Sequence, residues 1–193
     1  MDILGLSPNL IDQIVAKIKK ADTQAIVLVG SFARGNPKLD SDVDITHYIK
    51  EEGKNFDFFV FEGKKVSIFT TTFQNHRNNF HNPEEAIWVV PYLQIAKVLY
   101  DPQGLFIPLQ KEALQFQWKD MQLKADCYAN SKLEKYLEEV IKIVSGFKEN
   151  DEYPIFESPR WICSGLAMII AVQKGIYLDN ESTYLKQIQN KVG

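Results

Sequence analysis

The stretch Ala25-Ile-Val-Leu-Val-Gly30-Ser31-Phe-Ala-Arg34-Gly35-Asn-Pro-Lys-Leu-Asp40-Ser41-Asp42-Val43-Asp44-Ile45 decides the fold predicted for this chain. An apolar run ends in Gly30-Ser31, and a short polar segment follows it. Two acids, Asp42 and Asp44, then stand two residues apart among apolar residues. This layout predicts two strands, the first ending in a glycine turn and the second carrying a pair of carboxylates.

The first half of this stretch is typical of an anion-binding turn. Residues 25–29 are apolar and rich in β-branched side chains, which predicts a buried strand. Gly30 has no Cβ, so the backbone can turn sharply there and a phosphate can approach it closely. Ser31 adds a hydroxyl and an N–H group, and a helical turn over residues 32–34 would add further unpaired N–H groups. Arg34 fits two roles equally well, a phosphate contact or a surface guanidinium.

The second half is typical of a cation site. On a strand, side chains two residues apart project from one face, so Asp42 and Asp44 point the same way while Val43 and Ile45 enter the core. Two carboxylates on a rigid element suit Mg²⁺, which prefers oxygen ligands and is completed by water and phosphate. His47 continues the strand but falls on the opposite face.

This segment resembles the nucleotidyltransferase signature of the DNA polymerase beta superfamily, with its small bacterial aminoglycoside and minimal nucleotidyltransferases. The resemblance implies an α+β fold, a mixed β-sheet flanked by helices. It implies transfer of a nucleoside monophosphate, AMP from ATP, to a hydroxyl group, with pyrophosphate leaving. Gly30 and Ser31 would bind the triphosphate, and the catalytic pair Asp42 and Asp44 would bind Mg²⁺ in a two-metal site.

One position departs from the family pattern, which has a third carboxylate on a later strand. Residues 55–61 and 65–71 are predicted to form a hairpin around the turn at 62–64. The expected acid position then falls on Ser67, whose neutral hydroxyl is a poor general base and a poor Mg²⁺ ligand. Asp57 comes one strand too early, and Glu62 lies in the turn.

Three explanations for Ser67 stay open. The base is supplied from elsewhere in the chain, the strand register is assigned incorrectly, or the protein binds nucleotide and transfers it slowly or not at all. The two function hypotheses follow. The first is a nucleotidyltransferase acting on a small molecule or a protein, and the second is a catalytically weakened nucleotide-binding module, regulatory or of the toxin–antitoxin type.

Composition limits the binding partners and the cellular location that are predicted for the protein. The chain has 193 residues and a net charge of −3, which argues against strong nonspecific nucleic-acid binding. The start of the chain lacks the features of a signal peptide, so a cytoplasmic location is predicted. Cys127 and Cys163 are too few for a disulfide framework and are predicted to be free and buried. The oligomeric state and whether the chain is a fragment are left open.

The rest of the chain predicts its organisation. Ser7-Pro8 begins an amphipathic helix, residues 73–82 are predicted to be a loop, and residues 97–101 to be a strand. Helical patterns dominate after residue 105, so residues 1–105 are predicted to be the catalytic domain and 106–193 a C-terminal helical domain over the active-site cleft. Ser158-Pro159 is predicted to start a core helix whose twelve apolar residues, 161–172, are too few to cross a membrane.

Overall fold

A five-stranded sheet is the centre of the first of two compact units. The computed structural model describes residues 5–51, 56–180 and 182–192. The strands are β1 (Thr23–Leu28), β2 (Val43–Ile49), β3 (Phe56–Phe61), β4 (Lys64–Thr71) and β5 (Lys97–Tyr100). Their order is β3-β4-β2-β1-β5, with β2 and β4 parallel and the other pairs antiparallel. The sheet is therefore mixed, and the predicted α+β fold is confirmed.

The helices of the chain lie before, between and after these strands. They are α1 (Pro8–Ile18), α2 (Gly30–Arg34), α3 (Phe73–Asn79), α4 (Pro83–Ile95), α5 (Phe106–Gln115), α6 (Gln122–Glu149), α7 (Glu152–Lys174) and α8 (Tyr184–Val192). The helix α4 continues through Pro91 and does not end there.

The helix α1 packs on one face of the sheet. As predicted, the Ser7 side chain caps it by accepting the Leu10 N–H at 3.2 Å, and Pro8 follows at the first helical position. Apolar residues of α1 share a core cluster with inward-facing residues of the strands; these include Leu10, Ile11 and Ile14 from the helix and Ile26, Val43 and Ile45 from the sheet. The alternation in β2 places Val43 and Ile45 in this core, as the sequence predicts.

The opposite face of β2 contacts a second set of helices. The Tyr48 ring stacks on Phe73 with centroids 4.2 Å apart and lies 5.8 Å from Phe106. The predicted loop over residues 73–82 is therefore wrong, because α3 occupies most of it. Thr72 caps this helix through the Asn75 N–H, and Phe73 and His76 are buried one turn apart. Burial of that face outweighs the weak helix propensity of the Asn-rich sequence.

The predicted hairpin is present. Asn55 lies outside the described residues, and β3 and β4 pair around Glu62 and Gly63, which have φ values of 46° and 74°. Two consecutive residues with positive φ are typical of a type I′ turn, which matches the twist of a tight hairpin.

The second compact unit contains His81–Trp88 and the described residues from Gln117 onward, whereas the first contains the rest, through Phe116. The split places α5 with the sheet, although the sequence analysis puts a boundary at residue 105. The assignment of 1–105 as a catalytic domain and 106–193 as a helical domain stays a prediction.

The helices α6 and α7 form a packed pair within the second unit. The Ser158 hydroxyl donates to the Glu139 carboxylate at 2.8 Å, and Gly165 leaves room for the Tyr136 side chain. The predicted helix start at Ser158-Pro159 is wrong, because α7 begins at Glu152. Asp151 supplies the cap by accepting the Tyr153 N–H. The helix α6 continues past Gly146 to Glu149.

Much of the apolar surface of α6 and α7 is exposed, so the prediction of a core helix is wrong for most of α7. Exposed apolar residues recur every three or four positions along α6: Leu133, Leu137, Val140, Val144 and Phe147. By length and composition alone α7 could cross a membrane; its most apolar 18-residue window has a mean hydropathy of 1.4 and is 22% buried. A single such helix is weak evidence for membrane insertion.

Cys127 and Cys163 are free thiols, as predicted, but both are exposed. The prediction that they are buried is therefore wrong. Each lies on the outward side of its helix, and an apolar stretch of sequence does not reveal which side of a helix faces solvent.

Candidate active site

Gly30 and Asp44 meet where β1 ends. The Val29 N–H donates to the Asp44 carbonyl at 2.9 Å, which fixes the turn against β2. Gly30 has φ of +64°, and a Cβ added to it would lie 2.9 Å from Asp44 Cγ and overlap the carboxylate. The absence of a side chain at Gly30 therefore lets the Asp44 carboxylate lie against the backbone of the turn.

Asp42 lies immediately before β2, on the same side as Asp44. The Lys65 ammonium, one strand away on β4, lies 3.7 Å from an Asp42 carboxylate oxygen, and both side chains are partly exposed. An exposed pair of this kind contributes little to stability because solvent screens it. A divalent cation could therefore replace the Lys65 ammonium beside Asp42 at little cost in stability.

The Asp44 carboxylate is less acidic than a solvated one. Burial and then the negative charge of Asp42 raise the pKa of Asp44 to about 6, while Arg34 opposes this rise. Two residues further along β2, on the same face as Asp44, the Thr46 hydroxyl is hydrogen-bonded to the Tyr92 hydroxyl. Burial and the nearby Asp44 charge raise the pKa of Tyr92, so its hydroxyl stays protonated.

Ser67 is the direct partner of Asp44 across the parallel strands β2 and β4. The register predicted for the hairpin is therefore present, and an incorrect register does not explain the missing carboxylate. Asp57 pairs with the core residue Ile68 and lies on the other side of the sheet, and Glu62 is in the turn. Neither acid takes the place beside Asp44.

The remaining predicted residues have distinct positions. Ser31 and Arg34 lie in the short helix α2 beside Gly30, and both are partly buried. Arg34 is close enough to Asp44 to lower its pKa. His47 is buried and its Nε2 lies 2.7 Å from the Thr23 hydroxyl, consistent with its expected position on the opposite face.

Comparison with known proteins identifies the family. A family model described as "Nucleotidyltransferase domain" matches residues 10–145, which is more than half of the chain and includes the whole Gly-Ser and Asp-x-Asp stretch. The chain belongs to the nucleotidyltransferase domain family. No match to it is found among curated protein sequences.

A solved structure shares the fold. It is described as a nucleotidyltransferase-like protein from Exiguobacterium sibiricum 255-15, with a TM-score of 0.52 and 14% sequence identity. The match covers 94% of this chain and 60% of that one. This nucleotidyltransferase chain therefore spans less than two thirds of the length of its structural neighbour, and the low identity limits the likeness to the fold.

The acids of this nucleotidyltransferase fit a divalent cation. Asp42 and Asp44 offer carboxylate oxygens, the ligand type that Mg²⁺ prefers, and a cation would offset the burial and the Asp42 charge that together raise the pKa of Asp44. In residues 5–51, 56–180 and 182–192, no three His, Cys, Asp or Glu side chains are grouped as a complete protein-only metal site. Water and substrate phosphates would complete the shell, as is common for Mg²⁺.

The sequence does not directly predict the contacts of two residues near the site, Tyr92 and Lys65. Tyr92 comes from a helix 46 positions away from its partner Thr46, and nothing in its apolar segment indicates this contact. Lys65 was predicted only as part of a strand. Its register follows from that of Ser67, so the predicted hairpin contains the signal that brings it to Asp42.

Proposed function

We propose that this nucleotidyltransferase transfers AMP from ATP to a hydroxyl group in a Mg²⁺-dependent reaction. The observation that carries the proposal is the packing of the bare Gly30 backbone against the Asp44 carboxylate, with Asp42 beside it. A backbone without a Cβ beside two carboxylates supports the proposal, because phosphates can approach such a backbone closely and Mg²⁺ prefers carboxylate oxygens. Transfer to a hydroxyl of a small molecule or protein is the activity that uses both.

The proposed reaction forms one bond and breaks one. The acceptor oxygen bonds to the α-phosphorus, the bond from that phosphorus to the pyrophosphate oxygen breaks, and the hydroxyl proton leaves to solvent. In this scheme Gly30 and Ser31 hold the triphosphate, and Arg34 contacts a phosphate. Asp42 and Asp44 hold Mg²⁺, which when bound neutralises phosphate charge and orients the reacting groups.

The second candidate is a module that binds nucleotide without efficient transfer. It is favoured by Ser67, which stands beside Asp44 where the family has a third carboxylate. A serine hydroxyl cannot accept a proton at neutral pH without an additional base. The two candidates share the nucleotide and metal site and differ only in turnover.

The two candidates are separated by measuring ATP binding and pyrophosphate release on the same protein. Wild-type chain is titrated with Mg²⁺ and ATP by calorimetry, and then incubated with labelled ATP and a panel of hydroxyl acceptors. Mg²⁺-dependent binding with acceptor-dependent pyrophosphate release supports the transferase. Tight Mg²⁺-ATP binding without release across the panel supports the module.

Asp42→Asn and Asp44→Asn test the residue assignments, and both are expected to reduce Mg²⁺-ATP binding and turnover at least a hundredfold. The matched control is Asp12→Asn, which removes an exposed acid of α1. If the three variants behave alike, Asp42 and Asp44 do not form the metal site. A cytoplasmic location and the absence of strong nucleic-acid or membrane binding remain parts of this proposal.

A further inference from the structure

An exposed apolar surface continues the candidate site across the sheet. Its four residues, called here the aromatic platform, are Phe56, Phe58 and Val60 on β3 and Phe69 on β4. Their side chains are 57%, 47%, 64% and 43% exposed. Contiguous exposed apolar residues next to a polar site are typical of a ligand-binding surface.

Strand register places the platform on the same face as the acids. Phe58 is the direct partner of Ser67, and Ser67 is the direct partner of Asp44. Directly paired residues on neighbouring strands project from the same face, so all three side chains share it. Asp57, Phe59 and Phe61 of β3 project from the opposite face, where Phe59 and Phe61 pack against the core.

The distances suit a small acceptor. Neighbouring strands lie about 4.8 Å apart, so Phe58 and Asp44 are separated by about 10 Å with Ser67 between them. One aromatic ring stacked on Phe58 would therefore bring its hydroxyl to the space between Ser67 and the acids. Phe69 pairs with Phe56 and extends the apolar surface along the sheet.

The charge of the surroundings disfavours a polycationic acceptor. All four platform residues are apolar, and among the described residues of β3 and β4 the charged side chain paired directly with one of them is Lys65, opposite Val60. The acids Asp42 and Asp44 are assigned to Mg²⁺ in the proposed function. A polyamino sugar would find a lysine and four apolar side chains, whereas an aromatic ring stacks favourably on Phe side chains.

The serine at position 67 points to the same acceptor class independently. Ser67 stands beside Asp44, and among the described residues of β3 and β4 no side chain on this face is an acid. A phenolic hydroxyl has a pKa of about 10, compared with about 16 for a water-like hydroxyl, so it needs far less help to lose its proton. A phenol is therefore a hydroxyl acceptor suited to a site without a third carboxylate.

We propose that the acceptor is a small phenolic compound whose ring binds the aromatic platform, chiefly Phe58, with its hydroxyl beside Ser67. This inference rests on the proposed nucleotidyl transfer and names the substrate class of that site. The phenolic oxygen bonds to the α-phosphorus, pyrophosphate leaves, and the phenolic proton goes to solvent. The product is an aryl ester of AMP.

Binding and transfer are measured separately, so that the two proposals can fail separately. Binding is followed by ¹⁹F NMR of 4-fluorophenol and of 4-fluorocyclohexanol, its saturated counterpart, in the presence of Mg²⁺ and a non-hydrolysable ATP analogue. Transfer is followed by pyrophosphate release and the mass of the product, using the same two compounds and a polyamino sugar. The variants are Phe58→Ala and, as a control, Phe147→Ala, which truncates an exposed Phe of α6.

The expected result is that 4-fluorophenol binds and is adenylylated in preference to 4-fluorocyclohexanol and the polyamino sugar. Phe58→Ala should raise the KM for the phenol at least tenfold and leave the KM for ATP within twofold, while Phe147→Ala changes neither.

Three results would overturn the phenol inference. They are equal binding of 4-fluorophenol by wild type and Phe58→Ala, no binding to either, and transfer to another hydroxyl class but not to the phenol. The last would leave the proposed nucleotidyl transfer intact. Mg²⁺-ATP binding and phenol binding without transfer to any acceptor would overturn both proposals.

Discussion

Asp44 on β2 and Ser67 on β4 face each other across a parallel strand pair, with one carboxylate and one hydroxyl where the family pattern has two acids. This pairing separates metal binding from proton removal at the acceptor, two properties that the family pattern combines in one set of carboxylates. In the proposed function Asp42 and Asp44 bind the cation and its nucleotide, whereas proton removal from the acceptor has no assigned base. Predictions about metal binding and about turnover can therefore be tested separately.

Gly30→Ala should weaken Mg²⁺-ATP binding far more than its effect on the free energy of unfolding suggests. Gly30 and Gly35 both have left-handed φ values, +64° and +79°, so alanine at either position costs about 1–2 kcal/mol of stability. Only the Cβ at position 30 meets the Asp44 carboxylate, because nothing lies within 4 Å of one at position 35. Urea unfolding and Mg²⁺-ATP titration of both variants measure the two effects.

We expect Gly30→Ala to weaken Mg²⁺-ATP binding at least tenfold and Gly35→Ala to change it less than threefold. Equal losses of affinity in the two variants would show that backbone strain, and not the approach of Asp44 to Gly30, explains the effect.

Asp44→Asn should stabilise the metal-free protein at neutral pH. Burial and the Asp42 charge raise the folded-state pKa of Asp44 to about 6, above the ordinary aspartate value of 3.8, so the native state holds more protons than the unfolded state between these values. Stability from this group is present below pH 4 and is lost as the pH rises through 6. At pH 7.5 the charged Asp44 lowers the free energy of unfolding by on the order of 1–3 kcal/mol.

Urea unfolding of wild type and Asp44→Asn at pH 4 and pH 7.5, with chelator present, measures this effect. The advantage of the variant should appear at pH 7.5 and shrink toward pH 4, and Asp12→Asn should show neither change. An advantage that is the same at both pH values would contradict the assigned cause.

His76 should make the protein less stable as the pH falls. Burial lowers the pKa of His76 to about 4, and its Nδ1 is hydrogen-bonded to the Tyr48 hydroxyl at 2.6 Å. The unfolded chain binds this proton near pH 6.5, so stability is present above pH 6.5 and is lost as the pH falls toward 4. The loss is on the order of 3 kcal/mol.

His76→Gln should flatten the dependence of the unfolding free energy on pH between 6.5 and 4, whereas His81→Gln, at an exposed position, should not. Because burial also lowers the pKa of His47, some slope should remain in the variant. A slope unchanged by His76→Gln would show that this imidazole does not titrate as its burial indicates.

The parts predicted correctly from sequence are those specified over short distances. The turn at Gly30, the alternation around Asp44 on β2 and the β3–β4 hairpin all follow from strand alternation and turn residues. The missed helix α3 depends on burial of Phe73 and His76 against Tyr48, a contact between distant segments. Propensity and spacing do not contain such contacts.

The start of α7 was missed for a different reason. Ser158-Pro159 has the composition of a helix start, but Ser158 is buried and donates to Glu139 on the neighbouring helix. The true cap, Asp151, lies seven residues earlier. At the site, the contact of Tyr92 with Thr46 was equally hidden, because a tyrosine within an apolar helix carries no sign of its partner.

Ser67→Asp should restore a cation-dependent third carboxylate. The new acid would stand directly opposite Asp44, and like charges in that position destabilise a sheet by up to about 1 kcal/mol. Mg²⁺ would relieve this repulsion. We therefore expect Ser67→Asp to unfold at a lower temperature than wild type in chelator and to gain more from added Mg²⁺.

The effect of Ser67→Asp on turnover distinguishes the hypotheses better than its effect on stability. If the absent carboxylate limits proton removal, Ser67→Asp should raise kcat at least tenfold for an aliphatic hydroxyl acceptor and less for a phenol, whose proton leaves more easily. The matched control is Ser67→Asn, which has nearly the same shape as the aspartate and no charge. A larger Mg²⁺ stabilisation without faster turnover would show that the new carboxylate binds metal but that proton removal does not limit the rate. No gain in Mg²⁺ stabilisation over Ser67→Asn would show that position 67 does not reach the metal site.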